Sequence, residues 1–179
     1  INNHEIDLIA PFIEALKCEN VKNSYRLILY GNTISNEKWN QLGLSEIAEY
    51  RGWLDYSKDV STLKDIDVFL QLLDDNNVSK AGWPNKLGDY LAFGKPVILS
   101  PYGDIIDFVK NEKGFFIVEY NKYSILKILQ EIKDIPYSDL KTMGYANRQL
   151  AEKISWKNRA KNIEYICNKI RFNNETVKN

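Results

Sequence analysis

The chain is poor in the residues from which many active sites are built. It holds one histidine, two cysteines, one methionine and five prolines in 179 residues. The single histidine, His4, stands near the start, so neither a histidine-based catalytic triad nor a histidine metal centre is expected. Cys18 and Cys167 are far apart and no CxxC pair exists, which argues against a disulfide framework or a zinc site; two reduced thiols fit a reducing cytoplasm. An excess of one charge is missing too, because Lys+Arg and Asp+Glu both number 24. The chain therefore carries no strong electrostatic footprint for nucleic acid or an anionic membrane. Its apolar runs are only a few residues long, too short to span a bilayer. A chain of 179 residues has room for one domain with a real core and not for two.

What is present is an alternation of strand and helix patterns. Ile6, Ile9, Ile13 and Leu16 recur at helical spacing within residues 5–18. Short apolar runs at 25–31, 48–53, 67–73, 96–100 and 114–120 read as strands. Helices are expected within 36–46, over 57–65 with Ser57 as cap, over 84–93 and 103–111, and then over 123–133, 138–153 and 156–170. The loop "DDNNVSKAG" is read as irregular and the tail 171–179 as frayed. The strands are mostly continuous apolar runs, as expected of strands buried on both faces. The fold class is therefore α/β, a doubly wound Rossmann-like parallel sheet of about five strands with helices on both faces, in a single domain.

In such sheets ligands sit outside the carboxyl ends of the strands. That rule selects Gly31-Asn32, Arg51-Gly52-Trp53, the stretch from Asp74 to Lys86, and Ser100 to Asp104. Two familiar phosphate motifs fail here. "GDYLAFGKP" has five residues between its glycines and Pro96 after the lysine, so it is no P-loop, and no GxGxxG occurs. "DVFLQLLDD" resembles the acidic strand end of a receiver domain, but Lys95-Pro96 precedes a strand instead of following one.

Residues 82–104, "GWPNKLGDYLAFGKPVILSPYGD", concentrate four of the nine glycines and three of the five prolines. Pro84 suits the first turn of a helix. Leu87, Tyr90 and Leu91 share one side, while Asn85 and Asp89, four apart, share another beside Gly88. A helix start opening on a crevice favours an anion. Lys86 in that first turn opposes the helix dipole but suits a bound phosphate, and Asp89 one turn deeper can accept hydrogen bonds from a polyol such as ribose. The pattern suits a nucleotide or sugar nucleotide; a capped helix with a surface aspartate is the plainer alternative.

The same residues resemble the donor-binding half of the two-Rossmann-domain (GT-B) retaining glycosyltransferases of the group 1 type. "KLGDYLAFGKPVILSPYGDIIDFV" is similar to that family's acidic residue, small apolar run, "GkPVi" and glycine loop. "RLILYG", "YRGWLDYSKDVSTLKDIDVFLQL", "KGFFIV" and "SWKNRAKNIEYICNKI" follow in the family's order, so the likeness covers about residues 5–170. The resemblance implies sugar transfer with retention from a nucleotide-sugar donor to a glycan or lipid-linked glycan, as in polysaccharide biosynthesis. It implies no metal and no cofactor beyond the donor, which is UDP- or GDP-linked.

By position, the resemblance assigns Asp89 to the ribose. It assigns Asn85, Lys86, Leu87, Ser100, Tyr102, Gly103 and Asp104 to the diphosphate and sugar, and Arg51, Gly52, Trp53 and Leu54 to the base. Ala81 stands where many members carry a glutamate, and Asp89 replaces the commoner glutamate. The alternatives are a nucleotide-sugar 2-epimerase-like enzyme and a non-catalytic nucleotide-sugar-binding or scaffold module. The sequence opens at Ile1 and not at methionine. The family's first strand with its "GR…K" segment and the N-terminal acceptor-binding domain are therefore expected to lie outside it. Such a fragment is expected to be inactive alone, and Trp156, Ala160, Ile163, Ile166 and Cys167 of its last helix to be exposed where that domain belongs. A cytoplasmic protein is expected, peripheral at the inner membrane face through the other domain.

Overall fold

The computed structural model describes residues 1–2, 5–55, 58 and 60–176. His4, the expected cap Ser57 and the last three residues of the tail lie outside the described residues. Five short strands are present: β1 (Leu27–Leu29), β2 (Ala48–Tyr50), β3 (Phe69–Gln71), β4 (Val97–Leu99) and β5 (Phe115–Ile117). Eight α-helices accompany them: α1 (Ala10–Leu16), α2 (Asn36–Gln41), α3 (Asn77–Ala81), α4 (Asn85–Ala92), α5 (Ile105–Val109), α6 (Lys122–Asp134), α7 (Tyr137–Lys153) and α8 (Trp156–Thr176). Three 3-10 turns, Glu5–Ile9, Leu44–Glu46 and Val60–Asp65, complete the order.

All strand pairing is parallel, as the buried runs predict. The five strands do not form one sheet, however. β1 pairs with β2, and β3-β4-β5 form a separate three-stranded sheet. Alternation along β4 shows how one core becomes two layers. Val97 and Leu99 join a cluster with Phe69, Leu87, Leu91, Ile105, Val109 and Leu150. Ile98 joins the opposite cluster with Ile6, Ile13, Leu16, Leu27, Leu29, Phe116, Ile125 and Leu129. Helices α1 and α6 thus cover one face, and α4, α5 and α7 the other. Leu87 and Leu91 are wholly buried, each contributing about 1.5–3 kcal/mol of transfer free energy.

Three departures from the sequence reading have local causes. The expected helix at 57–65 is a 3-10 turn over Val60–Asp65. The stretch read as an irregular loop contains α3, started by Asn76, whose side chain accepts from the Ser79 amide at 2.8 Å. Helix α8 runs on to Thr176 instead of fraying after 170, since "RFNNET" holds no glycine or proline to stop it. Its apolar side is exposed as expected: Trp156 is 83%, Ile163 61% and Ile166 53% accessible.

Helix α7 is fastened to the amino ends of the strands by backbone-level contact. Asn147 is fully buried, and its Nδ2 donates to Lys95 O at 2.8 Å and to Gly114 O at 2.9 Å. Gly144 faces Gly94 so closely that an added Cβ would lie 2.1 Å from the Gly94 carbonyl oxygen. Gly144→Ala should therefore destabilise by about 1–3 kcal/mol, although alanine gains about 1 kcal/mol in helix propensity. Urea unfolding checks this, and a variant as stable as the parent would show that α7 can move off α4 at no cost.

Candidate functional site

The carboxyl ends of the strands gather the predicted segments into one rim. After β1 and β2 the chain is stitched by its own backbone: Gly31 N–H donates to Gly52 O at 2.9 Å, and Tyr50 Oη donates to Gly31 O at 2.7 Å. Gly52 has φ +74°, a left-handed conformation that glycine adopts without penalty. Arg51 does not project freely from this loop. Its Nε donates to Glu49 Oε1 at 2.8 Å and its Nη1 to the Tyr30 hydroxyl at 3.3 Å. The Tyr30 hydroxyl in turn donates to Thr62 Oγ1 at 3.1 Å. These bonds, Glu49 first, push the Arg51 guanidinium further above its ordinary range, and Arg51 holds Glu49 below the usual carboxylate range. The side chain of Arg51 thus braces the β1–β2 edge. Leu54 is half-buried against the core, while Trp53 stands 72% exposed.

After β3, Asp74 organises the approach to α4. Its Oδ1 accepts from Asn76 Nδ2 at 2.6 Å and from Ser79 Oγ at 2.8 Å, and Lys80 pairs with Asp75. Ala81 ends α3 at the surface. Trp83 meets Phe108 of α5 edge-on at 5.1 Å, which fixes the turn into α4. No side chain caps α4 at Pro84, and its first turn carries Lys86 and no acid. Asn85, Lys86 and Asp89 are exposed. Leu87 was assigned to the diphosphate with the amides around it. Its side chain is buried, and its N–H is spent on Pro84 O at 3.0 Å.

The loop after β4 divides in the same way. Ser100 is fully buried, and its hydroxyl donates to Leu73 O at 2.8 Å while accepting from the Leu73 amide. That side chain ties β4 to the end of β3. Gly103, at φ +78°, lies against α3, where an added Cβ would be 2.8 Å from Lys80 O. Tyr102 is half-buried and Asp104 exposed. Tyr120, past β5, is raised above its ordinary value first by burial and then by Asp74, Asp7 and Tyr102.

The structure thus brings Asn85, Lys86, Asp89, Gly103, Asp104 and the 51–54 loop to one edge and turns Leu87 and Ser100 inward. Sequence reasoning missed Glu49, Tyr30 and Tyr120, and it selected Asp74 only as the first residue of a loop. Only Asn76 and Ser79 had a readable signal, an Asx cap before a helical turn. Among the described residues no group of three or more His, Cys, Asp or Glu could hold a metal ion.

A profile of the family described as Glycosyl transferases group 1 matches residues 9–150. No curated protein sequence matches the chain. Among solved structures, sucrose-phosphate synthase from Thermosynechococcus elongatus is similar at TM-score 0.69 and 15% identity, covering 90% of this chain and 42% of that one. HepE from Anabaena in complex with UDP and glucose is similar at TM-score 0.59 and 16% identity, covering 80% of this chain and 39% of that one. HepE with UDP-glucose gives the same TM-score of 0.59. The chain therefore spans about 40% of the length of these GT-B neighbours and shares their α/β fold.

Ser100→Ala should lower stability by about 1–3 kcal/mol, because the half-buried Leu73 amide loses its acceptor. Asp104→Ala, at the exposed end of the same loop, should change stability by less than about 0.5 kcal/mol. Equal midpoints for the two variants in chemical unfolding would remove the tie between β3 and β4.

Proposed function

The chain belongs to the glycosyl transferases group 1 family, and from that premise we propose that it is the donor-binding part of a retaining glycosyltransferase. In this reading the donor is a nucleoside-diphosphate sugar and the acceptor a glycan or lipid-linked glycan. The observation that carries it is the start of α4. A helix with no side-chain cap opens on the ligand edge of the sheet, with Lys86 in its first turn and exposed Asp89 one turn further in. The UDP and UDP-glucose held by HepE support a uridine donor.

The chemistry follows from those groups. Amides at Asn85 and Lys86 and the helix dipole attract the diphosphate. They stabilise the charge that grows on it as the sugar leaves, which is the term an electrostatic site supplies best. Lys86 adds a full positive charge at the same place. Asp89 accepts hydrogen bonds from the ribose hydroxyls. The 51–54 loop, held by Gly31 and Gly52, offers backbone groups and Trp53 to the base, and Tyr102, Gly103 and Asp104 face the sugar. No step in this scheme calls for a metal.

The acceptor side is assigned to another domain of the same protein. The exposed face of α8, with Trp156, Ile163, Ile166 and Ile170 all more than half accessible, supports a surface covered by that domain. Cys167 lies on the same helix and is exposed. It should react with a maleimide readily in residues 1–179 and at least about tenfold more slowly in the full-length protein, where docking covers it. Equal rates in the two proteins would remove α8 from the interface.

The donor assignment is tested by titration calorimetry with UDP, GDP and ADP and with the matching nucleosides. A hydrogen bond to a charged group contributes roughly 1.5–3 kcal/mol. Asp89→Ala should therefore weaken the best diphosphate by about 10- to 150-fold, with little change in unfolding midpoint. Lys86→Ala should weaken the diphosphate far more than the nucleoside. Unchanged affinity in Asp89→Ala makes this aspartate a plain surface residue and sinks the reading at its centre.

A further inference from the structure

One hydroxyl closes the crossover between β2 and β3 at both ends. The side chain of Tyr30, at the carboxyl end of β1, accepts from Arg51 Nη1 at 3.3 Å and donates to Thr62 Oγ1 at 3.1 Å. Arg51 opens that crossover directly after β2, and Thr62 lies in the 3-10 turn Val60–Asp65 that leads toward β3. A phenol suits this post. Its oxygen accepts while its O–H donates, so it bridges a donor on one side and an acceptor on the other.

Both partners of the bridge are held for the task. Arg51 Nε donates to Glu49 Oε1 at 2.8 Å, a charge-assisted bond that fixes the plane of the guanidinium and leaves Nη1 to meet Tyr30. The Tyr30 ring packs against the cluster of Phe69, Leu87 and Leu91, and Leu54 of the crossover packs against the same cluster. The backbone nearby is stitched separately. Arg51 N–H donates to Leu29 O at 2.9 Å, Gly31 N–H to Gly52 O at 2.9 Å, and the Tyr50 hydroxyl to Gly31 O at 2.7 Å. These bonds fix the chain as far as Gly52. Trp53, the next residue, stands in the open, and the stretch from it to Thr62 is positioned by Leu54 and by the closure at Tyr30.

We infer that Tyr30 is a positioning residue for the nucleobase, acting through the 51–54 loop and sharing the role with Thr62. The inference rests on the donor reading above and refines it. On that reading the loop offers the base its backbone groups and Trp53. A loop that reads a base in this way discriminates only as well as its atoms are held in place. With the hydroxyl removed, the loop keeps the same atoms but must be ordered when the base arrives, which costs affinity. The effect is confined to the base. The diphosphate is assigned to the start of α4, which Leu87, Leu91 and α7 fix without help from Tyr30.

Titration calorimetry on the full-length protein tests it, with UDP, GDP, ADP, the matching nucleosides and inorganic pyrophosphate. Tyr30→Phe keeps the ring and removes both hydrogen bonds. It should weaken the best nucleoside and its diphosphate by a similar factor, about 3- to 30-fold. It should also narrow the preference among the three diphosphates and leave pyrophosphate within about twofold of the parent. Thr62→Val removes only the acceptor, and should show the same pattern with a smaller loss; it carries the test alone where Tyr30→Phe does not fold. A loss shared equally by pyrophosphate would mark a general loosening of the fold and overturn the role. Unchanged affinity and unchanged preference in both variants, with Asp89→Ala still weakening the nucleotide, would overturn it too and leave the donor reading standing. No binding of any nucleotide by the parent sinks the donor reading, and this inference falls with it.

Discussion

Val97, Ile98 and Leu99 are all buried, and the architecture follows from that constraint. A strand whose alternate side chains enter two different cores must have helices on both faces. Parallel neighbours must then be reached by crossovers through those helices. Within each sheet every strand consequently points the same way, and the loops that leave its carboxyl ends arrive at one edge. The rim that carries Asn85, Lys86, Asp89 and the 51–54 loop is a product of burial at β4 before it is a product of any ligand.

The other end of the sheet keeps that rim in place. Asn147, Gly144 and Arg148 of α7 hold the chain around Ala92–Lys95 at the amino ends of the strands, with Arg148 Nη1 donating to Ala92 O at 2.5 Å. Helix α4 is thereby fixed at its carboxyl end by α7 and along its length by Leu87 and Leu91. Phe69 stacks on Tyr90 with ring centroids 4.3 Å apart, which sets its rotation as well. The start of α4, with Asn85 and Lys86 exposed, faces outward. A rigid base with an open helix start is the division of labour that loop-borne sites on a scaffold require.

How much of this was legible in the sequence depends on whether the signal was side-chain periodicity or backbone partnership. Burial-driven features were readable: the five apolar runs, the helix at Leu87 and Leu91, and the α/β class all follow from spacing. The division into two sheets was not, because it depends on which edges meet, and periodicity is blind to edges. Leu87 and Ser100 were assigned by position in a motif, but their side chains point inward, since a helix start and a strand end each carry core residues beside functional ones. The tether on the Arg51 side chain was not readable either. Glu49 is two residues earlier on the same strand face, and that i, i+2 relation tethers the guanidinium before any ligand can. Asp74 and Tyr120 come from loops far apart in sequence, and nothing local announces that they interact.

The groups on that rim also define the chemistry the chain can contribute to the proposed transfer. It offers helix amides, one lysine, the aspartates Asp89 and Asp104 and a backbone-stitched loop, which on the proposed reading hold a nucleoside diphosphate and receive the charge of its departure. Among the other acids near it, Asp74 is engaged with Asn76 and Ser79 and Asp75 with Lys80, and Ala81 has no ionisable group. Leaving-group stabilisation and acceptor activation are thus separable tasks. A donor half built this way supplies the first, and the second falls to whatever faces it across the cleft. On the proposed reading, the exposed apolar side of α8 and the rim at α4 would serve one requirement, that a second body approach close enough to present the acceptor to a sugar held at the ends of the strands.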